Sequence, residues 1–361
     1  MSRSKASVAM GAVAAVSLLA GCSAAPSTKA SGAAGTAASG YRPCIVSDSG
    51  GFNDRSFNQL GLEGVQAAAK KLGNTYKSVE SATSNDYASN IGNLIAQKCD
   101  VIAAAGFNLV SAVKAAAVKN SSNDFLMIDD NSIKAKNVKP VVFATNEAAF
   151  LGGYVAAAYS KTRTVATWGG MQIPPVTLYM DGIADGIAYY NSQHHTDVKL
   201  LGWNTKKQSG TFSGDFTDQN KAKTITSNFL SQDADVVIPV AGPLYQGAAA
   251  AIRSNGGTQV LEGVDADIYT TDTNGYKDLF LTSILKKIKT ATEDAVLASA
   301  SGKTFDNTQY VGTLKNGGVD IAPFHDFAAK VPSGLADELA EVRKGIIDGS
   351  IDVSSPSALT K

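Results

Sequence analysis

From residue 43 onward, short apolar runs alternate with longer stretches in which apolar residues recur every three or four positions. This alternation constrains the chain more than any other feature. The runs at 44–47, 75–79, 101–105, 125–129, 141–144, 164–168, 199–203, 236–240 and 259–264 read as strands. Between them lie helical patterns such as Phe57, Leu60, Val65, Ala68 and Leu72. Strands and helices taken in turn dictate parallel sheets with helices on both faces. These strands are too many for one compact sheet, and the alternation pauses near Asn146 before a helix at 149–159. The expected fold is therefore α/β, two doubly wound parallel-sheet lobes joined by a hinge. The first lobe is expected at 41–145 plus about 270–310, and the second at 146–269 plus about 311–361.

The chain has 361 residues, enough to bury a core without metal or disulfide stapling. Its 32 basic and 32 acidic side chains balance, which leaves no clustered basic excess for nucleic acid or anionic lipid. Arg3 and Lys5 precede a mostly apolar run at 8–20, the length of a signal-peptide core rather than a membrane span. That run closes in Leu19-Ala20-Gly21-Cys22, which resembles the lipobox of bacterial lipoproteins; residues 1–21 then form the leader and Cys22 carries lipid. Losing Arg3 and Lys5 leaves 30 basic against 32 acidic side chains, a net charge of −2. Residues 22–40, rich in Ala, Ser, Gly, Thr and Pro, form a flexible tether. Cys44 and Cys99 remain as an even pair, open to a bridge or to two buried thiols. Because both begin strands that would be neighbours, first beside third, a bridge is the expectation carried forward.

In doubly wound sheets the ligand sits outside the carboxyl ends of the strands. The residues there are Asp48 with Gly50 and Gly51, then Gly106-Phe107-Asn108, Asp129-Asp130-Asn131, Gly169-Gly170, Gly242-Pro243-Leu244-Tyr245 and Asp265-Ala266-Asp267. Gly50-Gly51 matches neither the dinucleotide nor the P-loop spacing, so glycine here serves close backbone approach to a neutral ligand. Asp54 before Phe57 reads as a helix cap. Asp48, Asp129 and Asp265 precede no helix start and read as ligand contacts. No nucleophile elbow, zinc-protease motif or calcium loop is present, and neither a metal nor a cofactor is expected. The single enzymatic alternative is nucleoside hydrolysis, in which Asp265, Asp267 and Asp272 would form a calcium-holding cluster.

The run Asp48-Ser-Gly-Gly-Phe-Asn-Asp54-Arg-Ser-Phe57-Asn58-Gln with Glu63-Gly64 resembles the opening motif of the basic membrane protein family of nucleoside-binding lipoproteins. The stretch ending at Asp129, the helix from Phe150, Gly169 through Pro174, Gly182, Gly186, the segment Asp235 to Gly242, Gly263 to Asp267, Ser283 to Lys286 and Gly317-Gly318 follow in that family's order. The resemblance covers about residues 43–350 and implies a two-lobed type I solute-binding fold. It implies a membrane-anchored, extracytoplasmic, monomeric protein that captures a purine nucleoside for an ABC permease and catalyses nothing. On that model Phe57 stacks on the base, with Asn58, Gly106 and Phe107 around it. Asp48 and Asp129 read the base edge, and Asp265 with Lys286 and Gly242 holds the ribose. Lys286 falls in a lysine-rich stretch read as an amphipathic helix. Tyr245 is the candidate for a second aromatic wall, and a sugar or another small ligand on the same scaffold is the competing reading.

Overall fold

The structure, a computed structural model, describes residues 40–359. The expected leader, Cys22 and all but the last residue of the tether lie outside the described residues. Two six-stranded sheets form the framework. The first-lobe strands are β1 (Pro43–Ser47), β2 (Lys77–Val79), β3 (Val101–Ala105), β4 (Asp124–Ile128) and β5 (Val138–Phe143). The second lobe contributes β6 (Thr164–Gly169), β7 (Lys199–Leu201), a small hairpin of β8 (Trp203–Asn204) and β9 (Ser209–Gly210), then β10 (Val236–Val240), β11 (Val260–Asp265) and β12 (Phe280–Lys286). The chain then adds β13 (Tyr310–Gly312) to the first sheet and β14 (Val319–Ile321) to the second.

The two orders, β13-β5-β4-β3-β1-β2 and β14-β12-β11-β10-β6-β7, map onto one another strand for strand. Every pairing within them is parallel except β12 with β14. The central strands β1, β3 and β10 are buried along their whole length, as expected of strands covered on both faces, where continuous apolar runs replace an alternating pattern. In the second lobe, helix Thr145–Tyr159 crosses helix Pro174–His194 closely. An added Cβ at Gly186 would lie 2.0 Å from the Phe150 carbonyl oxygen, so only glycine fits that crossing.

One lobe boundary differs from the expectation. The sequence pattern puts residues 280–286 within the first lobe's 270–310 segment, but they form β12 and pair with β11 in the second sheet. Lys286 therefore ends a buried strand and does not sit on a helix. The misreading has a physical origin: Phe-Leu-Thr-Ser-Ile-Leu is apolar on both faces, and the lysines that follow belong to the crossing and to helix Ile288–Ser299. That helix packs against helix Phe57–Leu72 of the first lobe, where Lys289 pairs with Glu63 at 3.1 Å.

The chain passes between lobes after β5, after β12 and between β13 and β14. Backbone hydrogen bonds tie these crossings together, with Ala144 N–H donating to Gly312 O (2.8 Å) and Lys287 N–H to Gly318 O (2.9 Å). Cys44 and Cys99 are joined by a disulfide, with their Cα atoms 5.9 Å apart. It links β1 to the turn that leads into β3. Among the described residues no helix is long and apolar enough to cross a membrane.

Candidate ligand-binding site

The carboxyl ends of both sheets face one another across a cleft, the kind of place where small-molecule sites form. The first lobe contributes Asp48, Phe57, Asn58, Gly106, Phe107 and Asp129 to its wall. The second contributes Gly242, Asp265 and Lys286. Residues up to 238 positions apart in sequence, Asp48 and Lys286, thus meet because both lobes end these strands at one cleft.

Asp48 follows β1 and is 8% exposed. Its Oδ1 accepts from Gly50 N–H (3.0 Å) and Asn58 Nδ2 (2.9 Å), and its Oδ2 from Asn108 Nδ2 (3.2 Å). Three donors fix this carboxylate at the cavity wall. Gly106, at φ 112°, makes room for it, because a Cβ there would lie 3.2 Å from Asp48 Oδ2 and 3.4 Å from the Phe57 ring.

Asp54 caps the helix that begins at Phe57. It accepts from the backbone N–H groups of Ser56 (3.0 Å), Asn58 (2.7 Å) and Gln59 (3.0 Å), which are donors a helix start leaves without partners. Burial pushes its carboxyl up to about 6, against the pull of those amides. The cap sets where Phe57 enters the cavity.

Asp129 and Asp265 occupy equivalent places, at the ends of β4 and β11, and both have φ 67°. A non-glycine residue in that left-handed region costs free energy, and such strain concentrates at functional sites. Lys286, at the end of β12, reaches both. Its Nζ is 2.6 Å from Asp129 Oδ2 and 3.4 Å from Asp265 Oδ1, with only 3% of its side chain exposed. Rings of Phe57, Tyr179 and Phe143 surround the ammonium at 5.2, 5.3 and 5.8 Å, within cation–π range. Burial alone would lower its pKa, but the two carboxylates reverse that and hold it above the ordinary lysine value. Asp265 also accepts from Tyr179 Oη (3.0 Å) and from Ser56 Oγ (3.4 Å), the latter reaching across from the first lobe. Burial and the Asp265 carboxylate push the Tyr179 hydroxyl well above its usual pKa, so it remains a donor.

Three expectations change. Asp129, expected beside Asp48 at a base edge, is bound to Lys286. Tyr245 does not line the cavity: the short turn Gly242–Leu244 carries it to the far side of the sheet, where it is 1% exposed, packs on Phe280 and donates to Asp272 (3.1 Å). Nor do Asp265, Asp267 and Asp272 form one cluster. Asp267 accepts from or pairs with His325 (2.9 Å), and Asp272 is occupied by Tyr245 and the Tyr276 amide. Sequence reasoning missed Tyr179 and Phe216, both of which line the cavity. Phe216 lies against Gly170, where a Cβ would come within 2.2 Å of its ring. The signal available was Gly170 at the end of β6, a position that keeps space for an aromatic ring.

The chain resembles known proteins in sequence and in fold. The family model Bmp, described as ABC transporter substrate-binding protein PnrA-like, matches residues 43–353. The ABC transporter nucleoside-binding protein BmpA of Lactococcus lactis subsp. cremoris (strain MG1363) is 32% identical over 359 residues, covering 95% of this chain and 97% of the relative. Basic membrane protein A of Borreliella burgdorferi is 29% identical over 224 residues, 60% of this chain and 61% of the relative. Among solved structures, a solute-binding protein of an ABC transporter system from Aeropyrum pernix K1 superposes with a TM-score of 0.73 at 23% identity, over 88% of this chain and 94% of that one, a likeness of fold. The chain belongs to the Bmp family of PnrA-like ABC transporter substrate-binding proteins, which bind a ligand for a permease and do not transform it.

Proposed function

We propose that this protein captures a purine nucleoside in the interlobe cavity and delivers it to an ABC importer. One observation carries the reading: the cavity places an aromatic ring, Phe57, between two separate polar stations, Asp48 with Asn58 and Asn108 on one side and Asp265 with Asp129 and Lys286 on the other. A purine has a flat apolar face and N–H groups at its edge. Phe57 and Phe216 supply rings for the face, and Asp48 supplies acceptors for the edge. A ribose diol donates two hydrogen bonds that one carboxylate can accept, while Lys286 donates to sugar oxygens. The nucleoside-binding name of the Lactococcus relative supports the same assignment.

Calorimetry with a purine nucleoside, its free base and ribose tests this. The nucleoside should bind far more tightly than either half, because each half satisfies only one station. Ribose binding as tightly as the nucleoside would replace this reading with a sugar-binding one.

We further propose that lipid on Cys22 anchors the domain on the extracytoplasmic face of the membrane. One acyl chain holds a protein only marginally, whereas a diacylated cysteine gives stable two-chain anchoring. Cys22→Ala should release a folded protein from washed membranes. Retention of that variant in the membrane fraction would contradict the anchor.

A further inference from the structure

Three side-chain donors reach Asp265, and they differ in how far each is committed to it. Lys286 Nζ lies 3.4 Å from Oδ1 but 2.6 Å from Asp129 Oδ2, so its shorter contact goes to the first lobe. Ser56 Oγ lies 3.4 Å from Oδ2 and 3.3 Å from the Val264 carbonyl oxygen, and a hydroxyl has one hydrogen to give. Tyr179 Oη donates to Oδ1 at 3.0 Å, the shortest of the three contacts, and among the described residues it donates to no other group. Tyr179 is 2% exposed and Asp265 7%, so water competes little for this bond to a carboxylate.

The hydroxyl is delivered from a firmly seated element. Pro174 and Pro175 open helix Pro174–His194, and Gly182, three residues after Tyr179, lies on the same face of it. An added Cβ at Gly182 would lie 2.4 Å from the Asn146 carbonyl oxygen, so helix Thr145–Tyr159 packs directly against that face. Asp265 ends β11 at φ 67°, and turning its carboxylate about the Cβ–Cγ bond would break the contact with Tyr179. Burial and the neighbouring carboxylates keep the proton on the tyrosine oxygen. A carboxylate whose plane is set before the ligand arrives loses no rotational freedom on binding, which is how preorganisation gains affinity.

We propose that Tyr179 is the positioning residue of the sugar station: it turns Oδ1 of Asp265 towards the protein and presents the carboxylate to the vicinal hydroxyls of the sugar in one orientation. This rests on the nucleoside reading, in which Asp265 accepts from the ribose. Tyr179 then acts on how well the protein tells a diol from its absence, and not on the base.

Tyr179→Phe removes the hydroxyl and keeps the packed ring, which lies 5.3 Å from Lys286 Nζ. The test is calorimetry on the full-length protein with adenosine and guanosine and with their 2′,3′-dideoxy derivatives. The variant should bind the parent nucleosides about tenfold more weakly than wild type, as loss of one hydrogen bond to a charged group does. The dideoxy derivatives, which have no diol to place, should move less than about twofold, so the ratio of the two affinities falls. In an Asp265→Ala background the same substitution should change parent binding by less than about twofold, because Tyr179 works through Asp265. Equal weakening of both ligands would make Tyr179 a packing residue only, and wild-type binding of both would make its hydroxyl idle. A further loss of about tenfold in the Asp265→Ala background would make it a direct ligand contact. Each of these results overturns the proposal while the nucleoside reading stands. If wild type binds no purine nucleoside, or binds parent and dideoxy derivative equally, the ribose assignment falls and this proposal falls with it.

Discussion

Lys286 in the second lobe lies 2.6 Å from Asp129 in the first and 3.4 Å from Asp265 in its own. One ammonium therefore ties together two aspartates at equivalent strand ends, β4 and β11, which share the same left-handed φ of 67°. The same charge thus joins a carboxylate of each lobe at the proposed sugar station. A buried charge that loses its partner costs about 3–5 kcal/mol, so Lys286→Met leaves two carboxylates facing one another unbalanced. Nucleoside affinity should fall at least tenfold, as read by calorimetry. An unchanged Kd would show that the lysine is only a structural clasp.

The first-lobe station depends on how the helix at Phe57 begins. Asp54→Ala removes the acceptor of three backbone N–H groups and should cost about 1–2 kcal/mol in urea unfolding, as loss of a good helix cap does. Because Phe57 is the first helical residue, nucleoside affinity should fall as well. A variant with wild-type stability would mean the cap is replaced by solvent at no cost.

Glu262 stands in the middle of β11, fully buried, with neither carboxyl oxygen hydrogen-bonded. Burial pushes its pKa well above the usual carboxylate value. The folded protein then keeps a proton that the unfolded chain loses above about pH 4.3, so this residue makes stability fall as pH rises through that window. Glu262→Gln cannot ionise and lacks this slope. The melting temperature of the variant relative to wild type should therefore rise steadily between pH 5 and pH 8. Parallel pH profiles would mean that Glu262 is solvated or paired in solution.

The disulfide closes a separation of 55 residues within the first lobe. Chain-entropy reasoning for a loop of that length gives about 4 kcal/mol of stabilisation. Cys44→Ser with Cys99→Ser should lower stability by up to that amount, and reductant should destabilise wild type but not the double variant. Indifference of wild type to reductant would place both cysteines as free thiols.

Much of this was legible in the sequence because strand ends in a doubly wound fold sit at the ligand cleft whatever the ligand. Asp48, Gly106, Asp129, Gly242 and Asp265 could be placed there from the apolar run that precedes each. Resemblance brings Lys286 to the site, but its element is illegible, since a strand buried on both faces has no alternation and the lysines after it mimic a helix face. Tyr245 failed for a different reason. It follows β10 closely in sequence, but the Gly242–Leu244 turn rotates it through to the back of the sheet, against Phe280 of a strand that had not been recognised. Phe216 was invisible because its segment, between the β8–β9 hairpin and the next helix, carries neither helix nor strand periodicity.

The central claim is that Asp265 holds a ribose, and hydroxyl deletion on the ligand tests it without relying on total loss of binding. Losing a hydrogen-bond partner at a buried charged group costs about 1.5–3 kcal/mol, so wild type should bind a 2′,3′-dideoxynucleoside at least tenfold more weakly than the parent nucleoside. Asp265→Ala should bind the parent weakly and scarcely distinguish the two, because the acceptor for the missing hydroxyls is gone. Calorimetric titration of both proteins with both ligands gives the coupling directly. A discrimination ratio near one in the variant and above ten in wild type is the predicted result, and equal ratios in the two proteins would place the ribose elsewhere.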